Sequence, residues 1–202
     1  MKKTILFLVA AVFVFASCSI YKTIANLSRL KFKLGIVNNV RLAEISLDGK
    51  KKVTDFSPFD GIKLTSAISK GSLPISFVLN IDVKNPNDGT GGYAATNASL
   101  VSLPYRLYVD EKEILTGNIS SPVAIPGTGE ATVIPLAINF DLIKNVKDHG
   151  FESLVNLALN IAGTGNGNSR LTVYTKPTVN TMLGDITYPG ELKIVDKEFR
   201  DK

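Results

Sequence analysis

Apolar and polar residues alternate with a period of two along most of the chain after residue 31. The clearest case runs from Phe77 to Lys84, where every second residue is large and apolar. A period of two over this length indicates a strand with one buried face and one face in water. On this basis we predict strands over residues 40–47, 77–84, 103–109, 114–119, 132–138, 171–175 and 192–195. Short strands separated by Gly, Pro, Asn and Asp are typical of an antiparallel sandwich or barrel.

A helical pattern replaces the alternation over about residues 57–70. Ser57 and Asp60 have the spacing of a capping box. Pro58 suits the first helical position, and Gly71 suits the exit. We predict a first helix here.

Apolar residues recur at helical spacing over about residues 141–162 as well. Gly150 lies inside this segment and marks a place where the helix would divide into two pieces. Gly163 ends it, and the Gly- and Asn-rich residues 163–168 predict a loop.

The start of the chain has the layout of a secretory signal peptide, because two lysines precede an unbroken apolar run over residues 5–16. This run of twelve residues is too short to span a bilayer core of roughly 30 Å. The stretch Phe15-Ala16-Ser17-Cys18 resembles the lipobox of bacterial lipoproteins, with Phe15 where that family usually has Leu. The resemblance implies that the Cys18 thiol takes a diacylglyceryl group and that residues 1–17 are removed. The alternative is an ordinary signal peptide followed by an incidental cysteine.

We therefore expect three parts: a lipoprotein signal peptide over residues 1–17, a lipid-anchored tether over 18–30 and a β domain over 31–202. A tether of twelve residues after Cys18 reaches at most roughly 40 Å, which keeps the domain close to its membrane. The chain of 202 residues carries a net charge of +5, which falls to +3 when the two lysines of the signal peptide are lost. Such a small and dispersed charge argues against nucleic acid as a partner.

Few residues suit catalysis or metal binding. His149 is the only histidine, and Cys18, the only cysteine, is assigned to the anchor. A nucleophile with its base, or a zinc site, would need further partners of these kinds. The Gly-rich residues 163–168 lack the Gly-Lys-Ser/Thr end of a phosphate loop and follow a helix rather than precede one. We expect no cofactor, no metal site and no catalytic residue, and six tyrosines without tryptophan form no evident aromatic platform.

The motif Asn85-Pro86-Asn87 directly follows the strand predicted over residues 77–84. Taken alone it indicates a strand end, because Pro86 cannot donate to a ladder and asparagine favours turns. The motif is followed in order by small residues, the strand over 103–109, an acidic hairpin and a Pro- and Gly-rich turn.

This ordered set, over about residues 75–141, resembles the late embryogenesis abundant (LEA) type 2 family, also called the water-stress and hypersensitive-response (WHy) domain. The resemblance implies a β-sandwich of the immunoglobulin or fibronectin III kind and a link to osmotic stress. It implies no enzyme activity, and it makes Asn85, Pro86 and Asn87 a structural turn rather than a reactive site.

We therefore expect a non-catalytic, lipid-anchored protein of the bacterial envelope that acts as a stress-related or structural binding module. By analogy with lipoprotein sorting, Ser19 after the anchor and the lack of acidic residues between Cys18 and Glu44 favour the outer membrane, facing the periplasm. Its expected partners are the membrane and an unknown protein. The alternative is a periplasmic carrier or receptor for an apolar ligand, with a pocket lined by the apolar end of the second helical segment.

Overall fold

The computed structural model describes residues 30–90, 95–146, 150–165, 169–181 and 184–195. These residues form a mainly β chain with added helices, as the sequence predicted. The strands are β1 (Lys31–Leu42), β2 (Ile45–Ser46), β3 (Pro74–Lys84), β4 (Ala98–Ser102), β5 (Tyr105–Val109), β6 (Lys112–Gly117), β7 (Val123–Ile125), β8 (Ala131–Asp141), β9 (Leu171–Thr175), β10 (Thr178–Thr181), β11 (Gly184–Thr187) and β12 (Leu192–Val195). The helices are α1 (Pro58–Ser69), α2 (Leu142–Asn145) and α3 (Phe151–Ile161), with a 3-10 turn at Val53–Asp55.

The first layer of the sandwich is an antiparallel sheet with the strand order β2-β1-β3-β8. All eleven residues of β3 pair with β8 without a shift of register, from Pro74 opposite Asp141 to Lys84 opposite Ala131. Every second residue of β3 is buried, which matches the period of two in its sequence. Pro135 lies within β8, opposite Asn80, on a strand that forms the edge of this sheet.

The second layer is a long sheet that is interrupted near its middle. Its two halves have the orders β12-β9-β5-β6 and β11-β10-β4-β7. The chain runs directly from β4 to β5, from β6 to β7, from β9 to β10 and from β11 to β12, so each pair of short strands is one longer strand with a break. Each break contains a proline, which cannot donate to a ladder: Pro104, Pro122, Pro177 and Pro189.

Hydrogen bonds cross these breaks and keep the two halves together. The Lys176 amide donates to the Pro104 carbonyl at 3.4 Å, and the Tyr188 amide donates to the Pro177 carbonyl at 2.9 Å. The Asn118 side chain accepts from the Leu103 amide at 2.7 Å and donates to the Ser102 hydroxyl at 2.9 Å. The second layer therefore follows the first over its full length, and the two form an antiparallel β-sandwich of the predicted kind.

The core lies between the two layers and is filled by aliphatic side chains from both. Ile75, Leu79 and Ile81 of β3 are fully buried, as is Leu107 of β5. At one side Phe32 of β1 meets the ring of Tyr188 edge to face, with centroids 6.1 Å apart. This contact joins the first layer to the break between β11 and β12.

The sandwich has two different ends. β1 starts opposite Lys84 and finishes opposite Ile75, so the chain enters beside Asn85 and reaches α1 at the far end. We call the end with Asn85 the motif end. The other end carries α1, α2, α3 and the turn between β5 and β6, and we call it the helical end.

Both predicted helical segments are present. Ser57 caps α1: its hydroxyl accepts from the Asp60 amide at 3.1 Å, while the Asp60 carboxylate accepts from the Ser57 amide at 3.0 Å. The segment predicted over 141–162 forms α2 and α3, and Gly150 is the N-cap of α3. Residues 147–149 lie outside the described part.

The first predicted strand, over residues 40–47, was wrong in its bounds. β1 begins at residue 31 and ends at Leu42, and the chain reverses at Ala43 and Glu44 before β2. Both turn residues have positive φ, 45° and 64°, as a two-residue hairpin turn requires. The sequence did not reveal this turn because Ala and Glu are not the residues that usually occupy such positions.

Candidate functional site

The residues that sequence analysis assigned to an anchor lie outside the described part of the chain. This holds for Cys18 and for the signal peptide over residues 1–17, and His149 also falls outside it. Within the described ranges, no helix combines the length and the apolar character that crossing a membrane demands.

Asn85 forms the centre of a buried hydrogen-bond network at the motif end. Its side chain is fully buried, and its amide nitrogen donates to the carbonyls of Thr96 at 2.8 Å and Ile125 at 3.1 Å. Its amide oxygen accepts from the backbone amide of Asn87 at 3.2 Å and from the Asn87 side chain at 2.9 Å. Both donors and the acceptor of the Asn85 amide are therefore satisfied inside the protein.

Backbone contacts complete this network. The Gly129 amide donates to the Asn85 carbonyl at 3.2 Å, and the Thr96 amide donates to the Asn87 carbonyl at 2.9 Å. Gly127 packs so closely that a Cβ there would lie 2.5 Å from the Asn87 carbonyl oxygen and 2.7 Å from that of Thr96. The motif thus fastens the end of β3 to the end of β7 and to the segment before β4. These polar groups are occupied by one another, which makes the motif a structural element.

Acidic side chains in the described ranges do not gather into a metal site. No group of three or more His, Cys, Asp and Glu residues lies close enough there to hold an ion. Asp141, for example, accepts hydrogen bonds from the Ser72 hydroxyl at 2.5 Å and from the amides of Leu73 and Lys144 at 3.2 Å each. Burial alone would raise the pKa of Asp141, but these hydrogen bonds outweigh it and hold the pKa below its usual value.

The outer face of the second layer carries a cleft of a different character, which we call the tyrosine cleft. It encloses about 170 Å³. Its lining residues come from β5, β9, β12 and the turns beside them: Tyr108, Glu111, Arg170, Thr172, Tyr174 and Lys193.

Strand pairing places the two tyrosines of the cleft side by side. Tyr108 lies opposite Thr172, and Arg106 lies opposite Tyr174, so the two rings occupy diagonal positions on neighbouring strands. Their centroids are 5.1 Å apart in an edge-to-face arrangement. Tyr174 also lies between two cations, with the Arg106 guanidinium 5.5 Å and the Lys193 ammonium 5.6 Å from its centroid.

Arg106 is held in place by acids on both sides. Its guanidinium binds Glu191 through two hydrogen bonds, at 3.1 and 2.6 Å, and approaches Glu113 at 3.2 Å. The hydrogen bond to Glu191 raises the pKa of Arg106 above its ordinary value. The Tyr108 hydroxyl donates to Glu113 at 2.6 Å, and this bond raises the pKa of Tyr108. These side chains are about 40% exposed, so the network stabilises the fold little but fixes the orientation of Tyr108.

Arg170 and Lys193 differ from Arg106, because neither forms an ion pair with any of the described residues. The backbone of Arg170 is fixed at the edge of the cleft: its amide donates to the Asp110 carboxylate at 2.7 Å, and its carbonyl accepts from the Asp110 amide at 3.0 Å. The cleft therefore offers two cations against the one carboxylate of Glu111, beside two aromatic rings. This combination suits a ligand group that is negatively charged and lies against an aromatic surface.

The cleft was not predicted from the sequence. Tyr108 and Tyr174 are far apart in the chain, and only the pairing of β5 with β9 brings them together. A partial signal was present, because Arg106 and Tyr108 occupy the polar positions of a strand with apolar alternation, which indicates an outward face.

Helix α3 packs into the core at the helical end. Five of its residues are buried there: Leu154, Val155, Ala158, Leu159 and Ile161. These are among the apolar side chains that suggested a pocket for an apolar ligand. Their contacts make α3 part of the core, and the carrier hypothesis stays a prediction that a ligand-binding assay must test.

Comparisons with known proteins add little to this geometry. No family model matches the chain, and no curated protein matches it. Among solved structures, it is similar to a crystal structure of a protein from Archaeoglobus fulgidus, with 15% identity, a TM-score of 0.30 and coverage of 62% of this chain and 88% of that one. It is also similar to the solution structure of AT1g01470 from Arabidopsis thaliana, with 14% identity, a TM-score of 0.34 and coverage of 83% and 84%. Likeness at this level says nothing about function.

Proposed function

We propose that this protein is a non-catalytic, lipid-anchored module of the bacterial envelope that binds a protein partner through the tyrosine cleft. The observation that carries the binding role is the half-buried pair of tyrosines beside Arg170 and Lys193. The anchoring role depends on the sequence at Cys18. Membership of the LEA type 2 family remains part of this proposal, on the residues quoted around Asn85.

The composition of the cleft supports a protein partner. Tyr and Arg are the residue types that most often dominate the binding energy of protein interfaces, because they offer large contact areas with few rotatable bonds. An apolar partner would bury Arg170 and Lys193 without pairing their charges, and this would lower the free energy of binding gained. A partner segment that carries a carboxylate beside an apolar or aromatic group satisfies both features.

The anchor is tested by the mass of the mature protein. When the full chain is made in a bacterium that processes lipoproteins, we expect a mass that corresponds to loss of residues 1–17 and acylation of Cys18, and recovery in the membrane fraction. The variant Cys18→Ser should keep its signal peptide uncut and lack the lipid. A wild-type protein with an unmodified thiol would refute the lipoprotein role.

The cleft is tested by crosslinking in the envelope. A photoreactive phenylalanine at Tyr174 should give one discrete adduct, and the double change Arg170→Glu and Lys193→Glu should remove it. The matched control carries the same photoreactive group at Val133, which is 53% exposed on β8 in the other layer. Identical adducts from both positions, or an adduct that survives the charge reversal, would speak against the cleft as the binding surface.

A further inference from the structure

Helix α1 presents large apolar side chains to solvent. Phe59 and Ile62 are each 67% exposed and lie three residues apart, on neighbouring positions of the helix surface. Of the twelve residues of α1, only Leu64 is buried. An exposed Phe and Ile side by side on one helix indicate a surface that another apolar phase covers.

Lysines lie close to these two side chains along the chain. Lys51 and Lys52 precede α1, and Lys63 follows Ile62 with its ammonium group 5.4 Å from the centroid of the Phe59 ring. None of these three lysines forms an ion pair within the described ranges. We call Lys51, Lys52, Phe59, Ile62 and Lys63 the basic apolar edge.

The acids near this edge are engaged in the local fold. Asp55 accepts from the backbone amides of Lys51 and Lys52 at 2.9 and 3.2 Å. Asp60 caps α1 and pairs with the ammonium group of Lys50 at 3.1 Å. Residues 50–63 carry four lysines, Lys50 included, against two carboxylates, so this stretch has a net positive charge that is complementary to anionic headgroups.

We propose that the basic apolar edge docks on an anionic lipid bilayer, with Phe59 and Ile62 inserted among the headgroups and the lysines beside the phosphates. The proposal deepens the anchored role above and rests on it for the nearness of a membrane. An aromatic and an aliphatic side chain that are exposed near lysines suit insertion at the surface of an anionic bilayer.

The anchor and the basic apolar edge can reach the same bilayer. β1 spans the distance between the two ends of the sandwich with twelve residues, about 36 Å. The tether enters at the motif end and reaches at most roughly 40 Å from Cys18. Both contacts with the membrane are satisfied without a stretched tether when the long axis of the sandwich lies along the bilayer surface.

The test uses the full chain after processing, held in vesicles by its own anchor. The variant Ile62→Cys is labelled with an environment-sensitive nitrobenzoxadiazole dye, and its matched control is Val133→Cys in the other layer. Vesicles consist of phosphatidylcholine with or without phosphatidylglycerol, and a nitroxide on the acyl chain serves as quencher. Acylated Cys18 cannot react, so each variant takes up one dye.

In vesicles with phosphatidylglycerol we expect the dye at residue 62 to emit at shorter wavelength and to be quenched strongly, while the dye at residue 133 stays water-like. Each lysine near the surface is worth about a factor of five in affinity. Replacing Lys51, Lys52 and Lys63 together by Gln should therefore lower the ratio of docked to free protein about a hundredfold, with an unchanged thermal midpoint.

Equal emission and quenching at residues 62 and 133 would overturn the docking proposal. So would quenching at residue 62 that is the same with and without phosphatidylglycerol and with and without the three lysines. Failure of the anchor is visible separately. An unmodified Cys18 thiol would take up a second dye, and the mass spectrum would report it whatever the fluorescence shows.

Discussion

At the scale of single residues, we expect Asn85 to be among the positions where substitution costs the most stability, because its side-chain amide is buried and each of its donors has a partner. The change Asn85→Asp replaces the donating nitrogen by an oxygen that faces the carbonyls of Thr96 and Ile125. We expect a loss of about 3 kcal/mol or more in the free energy of unfolding, measured with urea.

The control for this change is Asn139→Asp on β8. Asn139 is exposed, so the same chemical change there should alter stability by less than about 0.5 kcal/mol. Equal effects at the two positions would show that the buried network has no special role.

Asp141 gives the molecule a pH-dependent stabilisation. It accepts hydrogen bonds from three donors and caps α2, and its pKa in the folded state lies below the usual value. Its contribution is therefore complete above the unfolded-state pKa of about 4 and is lost as the pH falls through the folded-state pKa. Asparagine caps equally well but carries no charge.

We therefore expect Asp141→Asn to cost about 1–2 kcal/mol at neutral pH and progressively less below pH ~4. Urea unfolding of both proteins across this range measures the difference. A gap that stays constant on acidification would mean that the charge of Asp141 contributes nothing.

At the scale of elements, we expect replacement of glycine by alanine to have opposite effects on stability at two positions. Gly61 lies within α1 with nothing within 4 Å of an added Cβ, so Gly61→Ala should stabilise the protein by about 0.5–1 kcal/mol. At Gly127 the added Cβ would meet two backbone carbonyls, so Gly127→Ala should destabilise it by several kcal/mol, on the order of an overpacked core. Thermal unfolding of both variants checks the pair, and a destabilised Gly61→Ala would mean that α1 is not a regular helix.

The elements that were predicted from sequence are those with a strong local pattern. β3 and β8 alternate over eleven residues, and α1 has a full set of capping residues, so their existence and type were clear. The strands that escaped prediction are short: β4, β7, β10 and β11 have three to five residues each. Such strands depend on pairing with distant neighbours, which a local pattern does not contain.

The candidate sites divide in the same way. Asn85, Pro86 and Asn87 could be found because they are contiguous and belong to a recognisable turn. The tyrosine cleft could not, because β5 and β9 meet only after the chain has passed through α2 and α3. The exposure of Phe59 and Ile62 was also hidden, since on a helical wheel they read as part of the apolar side that packs on the core.

At the scale of the whole molecule, β3 is the centre of stability. It pairs along its length with β1 on one side and β8 on the other, and its inner face is fully buried. We expect the amides of β3 to exchange with solvent only through global unfolding, and those of α1 and the preceding 3-10 turn to exchange through local opening. Hydrogen-exchange mass spectrometry in mild denaturant checks this order, and protection of α1 equal to that of β3 would contradict it.

The prolines of the sandwich also affect the tendency of this protein to aggregate at high concentration. A long, regular strand edge invites another chain to add a strand, and this is the usual beginning of aggregation. The breaks in the second layer leave its outer edges in pieces, of which the longest, β6, has six residues. The first layer has two long edges. β8 contains Pro135, which takes one donor out of the row of groups that a second chain would need. β1 is covered by β2 only at Arg41 and Leu42, and the shifts of register along β1 distort the rest of that edge. These interruptions protect the domain against sheet-to-sheet polymerisation at high local concentration, a condition that the proposed anchoring would produce.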